Sequence, residues 1–274
     1  MKIVALLRVR NEQLLIADAL SHLAQWCDEI IVYDDCSNDA TVSIVESFSA
    51  ESVRLIRGST WRIDRVSEET AHRALLLEHA QRAGYDWCLY IDADERLDFD
   101  LRQVLAEQDK SVTALRLTLF DAYLTPESHC PYVSGPISSL PRRFGIEYRH
   151  ILMLWSWRAR VSFVGLDQRE PTLGLLQKVS DGDWRVRHYG KAISAEAWEA
   201  KCDYYANYFP EPYKTKWADR RGQAVHIRSD FGGSLVEWEE LQMGRGVDIT
   251  PASGWRQIIR RALVQMSSRN GRNK

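Results

Sequence analysis

The sequence lacks the features of a membrane-spanning, zinc-binding or nucleic-acid-binding protein. No apolar run approaches the ~18 residues that a bilayer-spanning helix needs. The five cysteines are scattered and form no Cys-x-x-Cys pair, which argues against a zinc site and is typical of a reducing compartment. A net charge of −2 provides no global basic field for nucleic acid. The apolar stretch after Met1-Lys2 is too short for a signal peptide, so we expect a cytoplasmic protein without nucleic-acid partners.

Two common phosphate-binding motifs are also missing. The first predicted strand is followed by Arg8-Val9-Arg10-Asn11-Glu12 and not by Gly-x-Gly-x-x-Gly. No loop ending in Gly-Lys-Ser or Gly-Lys-Thr occurs. A nicotinamide cofactor and P-loop chemistry are therefore poor fits.

The first third of the chain alternates predicted strands with predicted helices. Buried strands are predicted at 3–7, 29–33, 53–56 and 87–91, and a helix capped by Asn11 follows the first of them. A later helix is predicted to start at a Ser67 cap and to end at Gly84. This alternation predicts an α/β fold with right-handed crossovers. We expect one Rossmann-like domain at 1–193 with a mostly parallel sheet, followed by a mainly helical C-terminal extension at 194–274.

Acidic residues follow two of these predicted strands. Asp34 and Asp35 come after the second strand, and Asp92 and Asp94 come after the fourth. Ligands of open α/β sheets gather beyond the carboxyl ends of the strands, and paired carboxylates suit a hard divalent cation. The structural alternative is a solvated acidic turn. If a nucleotide binds here, a metal ion rather than glycine backbone is expected to neutralise its diphosphate.

Four stretches resemble the GT-A fold glycosyltransferases of family 2, in that family's order and over about residues 1–210. They are Arg10-Asn11-Glu12, the loop from Ile31 to Thr41, Asp92-Ala93-Asp94-Glu95 and His188-Tyr189-Gly190. The resemblance implies a hexosyltransferase-type enzyme that uses a nucleotide-diphosphate sugar, with a UDP-sugar as the first expectation. It also implies a hydroxyl acceptor, saccharide or lipid-linked, and inversion at the transferred carbon. Retention of configuration, the donor sugar, its base and the acceptor stay open.

The resemblance assigns roles to residues near the donor. Asp35 would hydrogen-bond the base, and Arg8 would line the same pocket. Arg73 would reach the nucleotide, although it could instead be a surface arginine on an exposed helix face. Asp92 would lie near the ribose and the metal. Asp94 and His188 would bind the cation, either Mn²⁺ or Mg²⁺.

The catalytic base is less sharply indicated. An inverting transfer needs a carboxylate that takes the proton of the acceptor hydroxyl. Many relatives have Gly followed shortly by His-Glu, whereas this chain has Arg169-Glu170, so the histidine is replaced. Glu170 is the first choice and Asp167 the second. Either acid could instead only pair with a nearby arginine.

Two other classes remain open. A non-catalytic nucleotide-sugar binder would be consistent with the replaced histidine. A sugar nucleotidyltransferase shares the sheet but would need a Gly-rich loop after the first strand.

Residues 255–266 form a predicted basic amphipathic helix. Such a helix could lie on the inner face of a membrane, pack on its own domain or pack on a second subunit in a homodimer.

Overall fold

The computed structural model describes residues 1–48, 52–166, 168–244 and 246–252. The described strands are β1 (Ile3–Val9), β2 (Glu29–Asp34), β3 (Val53–Arg57), β4 (Trp87–Tyr90), β5 (Glu95–Leu97), β6 (Ala114–Tyr123), β7 (Arg143–Ser156), β8 (Val161–Ser162), β9 (Thr172–Leu173), β10 (Val179–His188), β11 (Leu235–Glu237) and β12 (Thr250–Pro251). The described helices are α1 (Ile16–Leu23), α2 (Thr41–Ser47), α3 (Arg65–Ala83), α4 (Leu101–Glu107), α5 (Ala195–Tyr208), α6 (Tyr213–Ala218) and α7 (Trp238–Met243). The predicted helix at 255–266 lies outside the described residues.

One large sheet organises the α/β fold, with strand order β3-β2-β1-β4-β7-β6-β10-β5. The first four of these strands are parallel, as predicted. Beyond them β7 runs antiparallel to both β4 and β6, whereas β10 runs parallel to β6. Two short strands of the predicted extension, β11 and β12, pair with β7 and so join the same sheet. The boundary after residue 193 stays a prediction.

Strand β1 shows why the sheet is buried on both faces. Ile3, Ala5 and Leu7 belong to one apolar cluster, whereas Val4 and Leu6 belong to another on the opposite face. Helices α1, α2 and α4 cover the first face and α3 covers the second. A strand that is buried on both faces needs a continuous apolar run, and the sequence supplies one here.

Helix starts differ from the predicted ones. Asn11 does not cap a helix: its φ of 54° is left-handed, and α1 begins only at Ile16. Asp64, not Ser67, caps α3, and it accepts a hydrogen bond from the Ser67 backbone N–H. Gly84 ends α3 as predicted. Among the described residues, none of the helices is both long and apolar enough to cross a bilayer.

Candidate active site

A cavity of about 1130 Å³ opens at the carboxyl ends of β1, β4 and β10. Its lining includes six of the eight residues that the sequence singles out: Arg8, Arg73, Asp92, Asp94, Glu170 and His188. Asp35 is buried behind this lining, with 1% of its surface exposed. Asp167 lies outside the described residues. The structure therefore gathers the candidates from distant parts of the chain at one edge of the sheet.

Asp94 and His188 face each other across the cavity floor. Oδ2 of Asp94 lies 3.4 Å from Nε2 of His188 and 3.7 Å from Nζ of Lys201. Oδ1 of Asp94 is buried and has no hydrogen-bond partner in the described part of the chain. A Cβ atom on Gly190 would lie 2.8 Å from His188 Nε2 and closer still to Asp94 Oδ2. Glycine at position 190 therefore keeps open a small polar space between a carboxylate and an imidazole.

This space fits a divalent ion only if a substrate completes the coordination. An orphaned carboxylate oxygen and an imidazole nitrogen are both suitable ligands for Mn²⁺ or Mg²⁺. Within 1–48, 52–166, 168–244 and 246–252, however, no group of three or more His, Cys, Asp or Glu side chains is placed to hold an ion. Two protein ligands with the rest from water and phosphate oxygens is a usual arrangement for Mg²⁺ at nucleotides.

The second nitrogen of the His188 ring is held by Asp121 on β6. Nδ1 of His188 lies 2.5 Å from Oδ1 of Asp121, which also contacts Arg149. Burial opposes the charged form of His188, but the Asp94 and Asp121 carboxylates together outweigh it and raise the pKa of His188 to about 9. Without a metal ion the ring is therefore protonated at neutral pH, and a bound ion would have to displace the Nε2 proton.

Asp92 and Glu95 are bridged by Arg169, the residue that stands where many relatives have histidine. Arg169 Nε lies 3.3 Å from Asp92 Oδ2, and its Nη2 donates to both Glu95 oxygens at 2.7 and 2.8 Å. Its guanidinium also lies over the ring of Tyr90, 5.0 Å from the centroid. The Asp92 carboxylate contacts Arg169 and also lines the cavity, and its side chain is 31% exposed.

Asp35 is engaged by two arginines. Arg8 Nη2 lies 2.6 Å from Asp35 Oδ2, and the buried Arg65 donates to the same oxygen. Arg8 also lies 3.2 Å from Glu69 on α3. Oδ1 of Asp35 is left without a hydrogen-bond partner among the described residues. This buried Oδ1 lies 3.8 Å from Nδ1 of His72, and the role of Asp35 at the base stays a prediction.

Arg73 is not a surface residue, so that alternative was wrong. It is 6% exposed, and its Nε donates to the Tyr90 hydroxyl at 2.9 Å. Its Nη2 lies 3.3 Å from Glu69. Arg73 therefore joins the buried polar layer beneath the predicted nucleotide pocket.

Glu170 lines the cavity, and its carboxylate already contacts other groups of the protein. Its Oε2 pairs with Arg116 on β6 and accepts the backbone N–H of Leu152 at 3.0 Å. The sequence allowed for such an arginine pair, and the structure contains one. Glu170 and Asp167 as the base both stay predictions, and Asp167 lies outside the described residues.

Glu12 is a cavity residue that the local sequence pattern missed. Because α1 starts late, Glu12 does not lie in its first turn, and its side chain lines the cavity. Loss of water, and next the Asp94 carboxylate, raise the pKa of Glu12 to about 8. The signal available in the sequence was its place in the Arg10-Asn11-Glu12 stretch.

The chain belongs to glycosyl transferase family 2, whose model matches residues 6–154. Its α/β fold is accordingly of the GT-A type, as the resemblance implied.

Curated relatives match part of the chain. An uncharacterised protein of Mycobacterium tuberculosis is 32% identical over 135 residues, which cover 46% of this chain and 32% of that protein. The lipopolysaccharide core biosynthesis glycosyltransferase LpsC of Rhizobium meliloti is 32% identical over 98 residues, 35% of this chain and 33% of that one. The chain thus spans about a third of the length of these relatives.

Solved structures also match part of the chain. Staphylococcus aureus TarS has a TM-score of 0.38 and 22% identity, over 47% of this chain and 24% of that one. Glucosyl-3-phosphoglycerate synthase of M. tuberculosis, in complex with Mn²⁺, UDP and phosphoglyceric acid, has a TM-score of 0.32 and 16% identity, over 43% of each chain.

Proposed function

We propose that the chain transfers a sugar from a nucleotide-diphosphate sugar to a hydroxyl acceptor, with a divalent metal ion and with inversion. The observation that carries the proposal is the pair of Asp94 and His188 around the space that Gly190 leaves open. These side chains lie at the edge of the sheet where ligands of α/β folds bind. UDP is the first candidate for the nucleotide.

Asp94 and His188 would hold the ion, Mn²⁺ or Mg²⁺. When bound, it would offset the charge that builds up on the leaving diphosphate. Asp121 orients the His188 ring so that Nε2 faces the cavity. Lys201, 3.7 Å from Asp94, adds a positive charge beside the same site.

Arg8, Asp35, Arg73 and Asp92 form the proposed nucleotide side. The free Oδ1 of Asp35 would accept an N–H of the base, while Arg8 and Arg65 hold its other oxygen in place. The Asp92 carboxylate, fixed by Arg169, is available to a ribose hydroxyl. Each contact pre-orients a donor or acceptor before the ligand arrives, which lowers the entropy cost of binding.

Transfer itself requires one proton acceptor. The acceptor oxygen forms a bond to the anomeric carbon, the bond from that carbon to the diphosphate oxygen breaks, and its electron pair leaves with the nucleotide. The hydroxyl proton goes to a carboxylate, Glu170 or Asp167. For Glu170 to act, one of its oxygens must face the acceptor while Oε2 stays with Arg116 and Leu152.

The site assignment is tested by UDP binding in the presence of Mn²⁺, measured by calorimetry. We expect Asp94→Ala to weaken UDP binding at least about tenfold, because one of two protein ligands of the ion is removed. The exposed Asp219, outside the cavity lining, provides the control variant Asp219→Ala, which should bind UDP like the unmodified chain. Unchanged UDP affinity in Asp94→Ala would refute the assignment.

A non-catalytic nucleotide-sugar binder is the second candidate, and the ion pair between Glu170 and Arg116 favours it. Turnover with UDP-, GDP-, CMP- and dTDP-sugars distinguishes the two. An enzyme should release nucleotide from one donor, and Glu170→Gln or Asp167→Asn should lower kcat by about 10²-fold or more with little change in donor affinity. Donor binding without any turnover across acceptors and donors would favour the binder.

A further inference from the structure

Four cationic side chains line the cavity beyond His188: Arg149, Lys191, Lys216 and Arg220. We call them the cation cluster. They come from separate parts of the fold, namely β7, the turn after β10, α6 and the turn after α6. Lys216 and Arg220 lie four residues apart in sequence, and the tertiary structure brings Arg149 and Lys191 to them.

The cation cluster is only partly neutralised. Lys191 Nζ lies 2.8 Å from Asp121 and 2.7 Å from Asp230. Arg149 shares Asp121 at 2.5 Å, and Arg220 shares Asp230. Three of the four cations thus contact two carboxylates, and the cluster as a whole carries two more positive charges than these carboxylates neutralise.

Lys216 and Arg220 carry the unused donors. Among the described residues Lys216 has no carboxylate within ion-pair distance, and its Nζ lies 5.9 Å from the centroid of the Trp217 ring. Arg220 lies 5.1 Å from the same centroid, and its Nη1 is buried without a hydrogen-bond partner in the described ranges. Loss of surrounding water, and next the charge of Arg220, lower the pKa of Lys216, with Lys191 and Arg149 acting in the same direction. All four cations line the same cavity.

Within the same cavity, a run of ion pairs lies between the cation cluster and the pair of Asp94 and His188. The contacts run from His188 to Asp121, on to Lys191, then to Asp230 and finally to Arg220. Two carboxylates thus separate the unused donors from the proposed metal ligands. A diphosphate held at Asp94 and His188 leaves Lys216 and Arg220 free for another anion.

Building on the proposed function, we propose that Lys216 and Arg220 bind a phosphate ester on the acceptor. A phosphate monoester carries close to two negative charges at neutral pH, which matches the excess of the cluster. Its oxygens can accept from a guanidinium and an ammonium group together. The acceptor hydroxyl would then lie on the His188 side of this phosphate, towards the donor.

The test uses inorganic phosphate as the probe and the full chain loaded with UDP and Mg²⁺, so that the diphosphate site is filled. Calorimetry should detect phosphate binding to this complex. Lys216→Glu reverses one charge of the cluster and should raise the Kd for phosphate about tenfold, with the Kd for UDP within about twofold. Lys214→Glu is the matched control, because Lys214 is exposed on the same helix but does not line the cavity. It should leave both constants unchanged.

Three outcomes would overturn the proposal. Phosphate could fail to bind once UDP is present, which would assign the cations to the donor diphosphate. Lys214→Glu could weaken phosphate binding as much as Lys216→Glu, which would indicate diffuse surface charge. Lys216→Glu could weaken UDP in parallel with phosphate. Phosphate is also titrated into the chain without nucleotide, so that the two proposals can fail separately. If UDP itself does not bind, the proposed function is refuted.

A soluble and a membrane-borne phosphate share this chemistry, and two further arms separate them. Glycerol 1-phosphate represents a soluble acceptor, and phosphatidate in phosphatidylcholine vesicles represents a lipid-borne one. Binding that depends on Lys216 in either arm supports the phosphate site and identifies its source. Absence of such binding in both arms contradicts it.

Discussion

Asp121 Oδ1 lies 2.5 Å from Nδ1 of His188, on the side of the ring opposite to Asp94. The carboxylate fixes the orientation of the imidazole and leaves Nε2 directed at the cavity. Burial opposes ionisation of Asp121, but Arg149 and then Lys191 outweigh it and hold the pKa of Asp121 well below its usual range. A permanent negative charge behind a histidine is a common feature of metal sites.

We therefore predict that Asp121→Asn weakens Mn²⁺ binding about tenfold, since the amide keeps the hydrogen bond but removes the charge behind the ring. The measurement is a Mn²⁺ titration in the presence of UDP. Asp183→Asn removes an arginine-paired carboxylate on β10 outside this cavity and serves as the control. Equal Mn²⁺ affinities for all three proteins would contradict this role of Asp121.

Gly190 gives a steric test of the same space. A Cβ atom there would meet Asp94, Lys201 and His188 at distances that real side chains do not adopt. We expect Gly190→Ala to abolish Mn²⁺-dependent UDP binding, because the methyl group fills the space between the two proposed ligands. Thermal unfolding in EDTA checks that the variant is folded. A folded variant that still binds UDP in a Mn²⁺-dependent way would show that the ion lies elsewhere.

The sequence was sufficient to predict the carboxyl-edge acids and the parallel strands. An apolar run that ends in Asp92 and Asp94 is typical of a strand inside a sheet, with the two acids at the carboxyl edge. His188 was found only through its place in a family stretch. Its partner Asp121 was missed, because nothing local marks a carboxylate in the apolar pattern of β6.

Shifted helix starts explain two other differences. With Asp64 as the cap, Arg65 falls at the first position of α3 and reaches Asp35. With Asn11 in a left-handed conformation, Glu12 lines the cavity and precedes the first turn of α1. Cap residues are plentiful in loops, and tertiary contacts decide which of them is used.

His22 provides a pH test of stability at a residue outside the cavity lining. Its Nε2 accepts the backbone N–H of Leu97 at 3.0 Å, so the neutral ring is the one that fits. Burial, and next the Arg96 guanidinium, lower the pKa of His22 to about 4. Because the unfolded chain binds this proton more readily, stability is complete above the unfolded pKa of about 6.5 and falls as the pH drops towards 4.

We predict that this single group lowers the free energy of unfolding by about 2 kcal/mol between about pH 8 and about pH 5. Urea unfolding of the unmodified chain and of His22→Gln at both pH values gives the measurement. The glutamine oxygen can accept the Leu97 N–H but does not titrate, so the variant should lose about 2 kcal/mol less over this range. The same pH dependence in both proteins would show that His22 does not contribute.

The bridge from Arg169 to Glu95 provides the last prediction. Glu95 is 2% exposed at its side chain, and one of its oxygens also accepts the Asp92 backbone N–H at 2.8 Å. Arg169→Met leaves this carboxylate buried without its cation and should destabilise the chain by about 3 kcal/mol. Glu95→Gln removes the charge and keeps an acceptor for Asp92, so adding it to Arg169→Met should recover about 2 kcal/mol.

A double-mutant cycle by urea unfolding measures this coupling directly. The exposed pair Arg82 and Glu78, with side chains 66% and 51% exposed, provides the matched control. The same exchanges, Arg82→Met and Glu78→Gln, should couple by less than about 0.5 kcal/mol, because solvent screens a surface pair. Coupling as small at Arg169 and Glu95 would mean that Glu95 is protonated in the folded chain. The contacts of Arg169 with Asp92 and with the Tyr90 ring would then be the ones that hold it.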